Sequence, residues 1–276
     1  MRAAVLGSPV AHSLSPVLHT AAYAAMGLTE WSYGRHECDE KGLAPFLGGL
    51  DDDWAGLSLT MPLKRRAMEL AARVSDLSTR VGGANTLVRE DHGWAAHNTD
   101  VEGIAVALAE AGVTAPRDTV VLGAGATAAS ALAALRELGG IGTVRVLARS
   151  TARTGEVVAA AERLGTPIEV APLAEVERHL DTDLVMSTLP SGATDVHAEA
   201  LADCRADLFD VVYAPWPTKA AVAVTDRGGR VVGGFPMLLH QAVAQVRLMT
   251  GAVDVPVAAM REAGEAELQR RATADS

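Results

Sequence analysis

The sequence predicts an α/β protein in two parts, a doubly wound parallel-sheet domain preceded by a domain that alternates strand and helix on its own. Three observations carry that expectation. β-Branched apolar runs alternate with helix-length segments along nearly the whole chain. Near its middle, Thr119-Val-Val-Leu-Gly-Ala-Gly-Ala-Thr-Ala128 reads as strand, glycine turn and helix. The composition, 49% apolar with only 4% aromatic over 276 residues, suits a helix-rich α/β chain long enough for two domains.

In chain order, Arg2 to Gly7 is a first strand, broken by Ser8-Pro9. Ser15 is expected as the N-cap of a helix with Pro16 at its first position, running through Leu18, Ala22 and Met26 to Gly27. Trp31 to Cys38 is extended, Asp39 caps a helix toward Leu47, and Trp54 to Leu59 is another strand. Thr60-Met61-Pro62 opens a helix expected to run toward Ala72. Ala84 to Arg89 and Trp94 to His97 pair as a hairpin across Asp91-His92-Gly93, and Asn98-Thr99-Asp100 caps a connecting helix from Val101 to Ala111.

The central unit follows. Thr119 to Leu122 is a strand, Ala126 to Leu138 a helix stopped by Gly139 and Gly140, and Thr143 to Leu147 the next strand. Runs at Ile168–Val170, Asp183–Thr188, Leu208–Tyr213 and Arg230–Val232 bring the strands from Thr119 onward to six, the number of a complete dinucleotide domain. From Pro236 the pattern is helical to Gly251, with a second helix from about Pro256 and a final stretch expected to fray. The chain thus divides as 1–100, 101–235 and 236–276.

The turn at Gly123 and Gly125, with Ala128 as the third small position, is tight enough for backbone to approach a ligand. The stretch Gly123, Ala124, Gly125, Ala126, Thr127 would cradle a pyrophosphate, because unsatisfied N–H groups and the positive dipole end at a helix N-terminus both favour an anion. An NAD site carries an acid at the end of the next strand to bond the ribose 2′-OH, but here that strand runs into Ala148-Arg149-Ser150-Thr151-Ala152-Arg153. Forked charge-assisted bonds from Arg149 and Arg153 suit a 2′-phosphate, so the expected cofactor is NADP.

In the first hundred residues, polar side chains gather at chain breaks: Ser13-Leu-Ser15, Thr60-Met-Pro-Leu-Lys64, Asn85-Thr86 and Asn98-Thr-Asp100. Capping or turn formation accounts for most of them singly. Lys64 stands apart, since a first helical turn shared with Arg65 and Arg66 disfavours a cation and so suits a side chain that must serve as a general base.

These stretches, in this order, resemble the shikimate dehydrogenase family over nearly the whole chain. Its Ser-Leu-Ser-Pro appears as Ser13 to Pro16, its Asn-Val-Thr-x-Pro-x-Lys as Ser58 to Lys64, its Gly-Ala-x-Asn-Thr, one residue shorter, as Gly83 to Thr86, and Asn-Thr-Asp at Asn98 to Asp100. Asp210-Val-Val-Tyr213 matches Asp-x-x-Tyr, and Met237-Leu-Leu-His-Gln241 matches Met-Leu-x-x-Gln.

The resemblance implies NADP-dependent interconversion of 3-dehydroshikimate and shikimate in aromatic amino acid biosynthesis. Lys64 and Asp100 would be the catalytic pair and Ser13 and Ser15 the carboxylate binders. Thr60, Lys64, Asn85, Asp100 and Gln241 would meet the ring hydroxyls, with Tyr213 close by. On the cofactor side it adds Thr188 and Gly234 to the Rossmann domain's turn and arginines, and it implies that the helices from about Met237 return to the substrate domain. The chain departs from the family pattern at Ser58 for Asn, Ala126 for Gly, Ala148 for Asn and Pro236 for Gly, and in Ser187 to Gly192, most of these on the cofactor side.

A formal charge of −10, from 34 acids and 24 bases, argues against a nucleic-acid or anionic-membrane partner. Cys38 and Cys204 form no C-x-x-C pair, and His12, His19, His97 and His240 show no metal-ligand spacing, so neither metal nor disulfide is expected. With no apolar run long enough for a span or a signal core, the expectation is a cytoplasmic monomer or homodimer acting on a small molecule. Two other readings stand beside it: a quinate or aminoshikimate dehydrogenase on the same scaffold, and a non-catalytic NADP-sensing regulator, against which intact Lys64 and Asp100 argue.

Overall fold

A computed structural model describes residues 1–140 and 142–274. The chain divides into two compact units, residues 1–99 together with the segment from Leu238 onward, and Asp100–Met237.

The first unit runs β1 (Arg2–Gly7), α1 (Ser15–Ala25), β2 (Ser32–Glu37), α2 (Glu40–Gly48), β3 (Trp54–Leu59), α3 (Arg66–Leu70), β4 (Arg73–Val74), α4 (Asp76–Val81), β5 (Thr86–Glu90) and β6 (Gly93–His97). Its sheet is ordered β2-β1-β3-β5-β6-β4; β1 lies parallel to β2 and β3, and the β5–β6 hairpin enters antiparallel to β3. All six residues of β3 are buried, as a strand covered on both faces requires. Leu6, Leu57, Leu59, Leu63 and Leu87 join one apolar core on this sheet.

The second unit runs α5 (Asp100–Glu110), β7 (Thr119–Leu122), α6 (Ala126–Glu137), β8 (Val144–Ala148), α7 (Gly155–Leu164), β9 (Ile168–Pro172), β10 (Leu184–Ser187), α8 (Ala198–Asp203), β11 (Asp207–Asp210), α9 (Lys219–Asp226) and β12 (Val231–Val232). Its parallel sheet is ordered β12-β11-β10-β7-β8-β9, so the winding reverses between β7 and β10 and leaves a crevice at their carboxyl ends. The scarcity of aromatics has its counterpart in α6, which buries Ala128, Ala129, Ala131, Ala133 and Ala134; small side chains let a helix lie close against its neighbours. The helix α10 (Gly234–Thr250) starts at the end of this unit and runs on into the first, followed there by α11 (Val257–Ala274).

Several local expectations differ. Ser15 is not an N-cap: α1 begins at Ser15 with Leu14 before it, and Ser13 Oγ accepts the Ser15 N–H at 3.2 Å. The helix expected from Thr60 to Ala72 shrinks to the five residues of α3, because the preceding backbone is engaged by β1. Thr60 N–H donates to Leu6 O at 2.9 Å, and Ser8 N–H to Met61 O at 2.9 Å. Beyond α3, Ala72 N–H donates to Trp94 O at 2.8 Å and draws the chain into β4. Lys64 therefore lies in a turn ahead of a short helix, and the helix dipole no longer bears on its role. β4 and α4 were not among the expected elements, although Ser75 caps α4 by accepting the Ser78 N–H, and Gly82 at φ 80° closes it. At the far end α11 continues to Ala274, and the last two residues of the stretch expected to fray lie outside the described residues.

His19 is fully buried on α1, stacked on Tyr33 with ring centroids 4.0 Å apart, and its Nδ1–H donates to Ser15 O at 2.9 Å. Burial holds its pKa down at about 4, against the opposing effect of that hydrogen bond. The unfolded chain therefore takes up this proton first. The stability His19 confers is complete above pH 6.5 and is lost as pH falls toward 4, a loss of roughly 3 kcal/mol. Urea denaturation at pH 7 and 4.5 should show His19→Phe losing less stability over this interval than wild type. The variant serves as the reference because burial lowers half-buried His97 in the same direction.

Candidate active site

In the second unit the chain leaves β7 through Gly123 at φ +106°, a conformation that favours glycine, and a Cβ there would lie 2.5 Å from Thr188 Oγ1. Thr188, at the end of β10, donates its hydroxyl to Leu122 O at 2.9 Å, so the turn and Thr188 meet at the point where the winding reverses. Gly125 is the N-cap of α6; no side chain caps that helix, and the space where its Cβ would stand is open. The turn from Gly123 through Ala124 to Ala126 and Thr127 thus combines free room with helix-terminal N–H donors, which fits a pyrophosphate. Arg149 and Arg153, both exposed, follow β8, Arg153 in a single 3-10 turn, and fit a 2′-phosphate. Gly234 has a packing reason of its own: a Cβ would come 2.0 Å from Val211 O.

Asp100, 5% exposed, opens α5, and Tyr213 follows β11 in a loop anchored by Asp210. Burial pushes the Asp210 carboxyl up, while the bond from the Val212 N–H at 3.2 Å opposes that shift. The Thr218 hydroxyl donates to the other Asp210 oxygen at 3.3 Å and also caps α9. Ser187, one of the departures from the family pattern, is paired with Thr194 at 2.6 Å.

In the first unit the proposed substrate residues gather at one end of the sheet. Leu6 is in register with Leu59, Ser58 with Thr86, and Thr86 with His97, so the carboxyl ends of β1, β3 and β6 meet the amino end of β5. The segment carrying Ser13 and Ser15 leaves β1 there, and Thr60 and Lys64 follow β3. Gly7 lies so close to Thr60 that a Cβ would be 2.2 Å from its methyl carbon. Lys64 O accepts the Ala84 N–H at 2.8 Å, which ties the lysine turn to the segment bearing Asn85. Asn85 itself is 2% exposed: its Oδ1 accepts from the Thr99 N–H at 2.8 Å and the Thr86 hydroxyl at 2.9 Å. Its Nδ2 donates to Thr99 Oγ1 at 2.9 Å and Gln241 Oε1 at 3.3 Å. Lys64 belongs to this unit, Asp100 and Tyr213 to the other.

Two residues outside the motifs, Tyr33 and Gln245, also belong to this end of the unit. Tyr33 Oη donates to Ser58 Oγ at 2.6 Å, and Ser58 Oγ donates to Gln245 Oε1 at 2.7 Å. Ser58, another departure, is thus fully engaged. The only sequence signal for Gln245 was its place four residues after Gln241 on one helix face. Among the described residues no group of three or more His, Cys, Asp or Glu is placed to hold a metal, and no helix is long and apolar enough to cross a membrane.

The reversed winding, the glycine turn and the exposed arginines at the end of β8 define a dinucleotide-binding α/β protein. Relatives named shikimate dehydrogenase (NADP(+)) from Geobacter metallireducens and a Synechococcus strain are 35% and 33% identical, covering 96% of this chain in each case and 96% and 93% of theirs. The chain belongs to the shikimate dehydrogenase family. The family's substrate binding domain matches residues 5–87, and the shikimate 5'-dehydrogenase C-terminal domain matches residues 234–263. Among solved structures, the Mycobacterium tuberculosis shikimate dehydrogenase is 41% identical with a TM-score of 0.88, over 96% of this chain and 99% of its own. The Thermus thermophilus enzyme in complex with NADP(H) and shikimate is 31% identical with a TM-score of 0.82, over 96% and 98%.

Proposed function

We propose that the protein catalyses the NADP-dependent, reversible reduction of 3-dehydroshikimate to shikimate, a step of aromatic amino acid biosynthesis. The observation that carries this reading is the gathering of Ser13, Ser15, Thr60, Lys64, Asn85 and Gln241 at one end of the first unit's sheet, in a chain whose other unit has a glycine turn suited to a dinucleotide. When bound, NADPH supplies the hydride. The chain's own residues bind, orient and move the proton. Ser13 and Ser15 take the carboxylate; Thr60, Asn85 and Gln241 take ring hydroxyls, and Tyr213 contributes a further substrate contact. Lys64 exchanges the proton of the reacting hydroxyl, and Asp100 orients it. Gly123 to Thr127, Thr188 and Gly234 line the dinucleotide's path, and Arg149 and Arg153 hold the 2′-phosphate. We place the enzyme in the cytoplasm, where Cys38 and Cys204, both free thiols, stay reduced.

The test is the oxidation of shikimate and quinate with NADP and with NAD, followed at the nicotinamide absorbance. Shikimate with NADP should be the preferred pair, and preference for quinate or for NAD would overturn the corresponding half of the assignment. Arg149→Asp removes a charge-assisted contact and places an acid where NAD enzymes carry one. It should lower kcat/KM for NADP relative to NAD by about tenfold to a hundredfold. An unchanged ratio would remove Arg149 from the cofactor site.

A further inference from the structure

On α10 the side chains of Gln241, Gln245 and Met249 recur every four residues and so form one ridge. That ridge lies on the sheet of the first unit. Met249 packs where Gly56 of β3 leaves room, since a Cβ on Gly56 would be 2.5 Å from Met249 Cγ. Two residues along the same face of β3, Ser58 meets Gln245, and beyond it Asn85 meets Gln241.

Gln245 is 1% exposed, yet its amide is fully engaged. Its Oε1 accepts from Ser58, and its Nε2 donates to Thr86 Oγ1 at 3.0 Å and Asn85 O at 3.2 Å. Because Thr86 Oγ1 is occupied as an acceptor, its proton goes to Asn85 Oδ1 at 2.9 Å. With Oδ1 taken by Thr86 and by the Thr99 N–H, the Asn85 amide is held with Nδ2 toward Gln241. The order of donors therefore runs one way on each side of Gln245: Tyr33 to Ser58 to Gln245, and Gln245 to Thr86 to Asn85. A buried amide with every partner in place fixes one orientation, since the flipped form would set donor against donor.

We propose that Gln245 is a positioning residue that, together with the Thr99 N–H, sets the amide polarity of Asn85 and so determines which ring-hydroxyl pattern the substrate site accepts. The inference rests on the assignment of Asn85 and Gln241 to shikimate. Gln245→Met keeps length and removes both donor and acceptor. It should lower kcat/KM for shikimate by about tenfold, the scale of coupling in a shared hydrogen-bond network. The ratio of shikimate to an analogue lacking one ring hydroxyl should fall with it. In an Asn85→Ala background, the same substitution should leave that ratio unchanged. A packing role alone would lower activity on both substrates equally and would add to the effect of Asn85→Ala. Ser58→Ala interrupts the same relay at a smaller side chain and carries the test if Gln245→Met does not fold. A retained selectivity ratio in the folded variant, or strict additivity with Asn85→Ala, overturns the positioning role while leaving the enzyme assignment intact. A wild-type protein that does not oxidise shikimate overturns both.

Discussion

Lys64→Ala should lower turnover about a hundredfold or more, the usual scale for losing a positioned acid–base group, with shikimate binding changed less. Oxidising the ring alcohol releases a hydride and a proton, and a base must stand within hydrogen-bond reach of the hydroxyl oxygen that loses the proton. Lys64 is half-buried, in a turn held on one side by β1 through the Thr60 N–H and on the other by its own carbonyl, which accepts from Ala84. The case for it rests on that placement between Thr60 and Asn85, since the helix expected around it starts only at Arg66. Lys64→Arg keeps the charge but cannot give up a proton near neutrality, so it should restore binding and not turnover. Steady-state kinetics across pH checks both variants. Equal turnover of Lys64→Ala and wild type at every pH would remove Lys64 from the chemistry.

Gly234→Ala should cost about 3 kcal/mol of stability or more, large for a single methyl group. The added carbon would stand 2.0 Å from Val211 O and 2.4 Å from Val211 C. Those are backbone atoms, and the Gly234 N–H is itself bonded to Val212 O at 3.0 Å, so neither side can yield cheaply. Thermal or urea denaturation reads the loss, and titration with NADP on the folded fraction separates packing from cofactor contact. Unchanged stability with weakened NADP binding would reverse the interpretation.

Elements whose signals are local could be read from the chain alone. The unit from Thr119 to Ala148 was legible because β-branched residues, a glycine turn and an alanine-rich helix each impose their conformation within a few residues. Asp39 capping α2 was legible for the same reason. The shortened helix after Thr60 was not, because hydrogen bonds to β1, more than fifty residues earlier, outcompete the helix signal of Pro62. Ser15 likewise looked like a cap, while in the fold Ser13 accepts its N–H. Among the substrate residues, the motifs named Ser13, Thr60, Lys64, Asn85 and Gln241. That Tyr33, Ser58 and Gln245 form a hydrogen-bonded chain reaching Asn85 follows only from the packing of the fold, Ser58 and Gln245 being 187 residues apart. A buried polar group must find a partner wherever the packing of helix on sheet brings one, and that packing leaves no local signature in the chain.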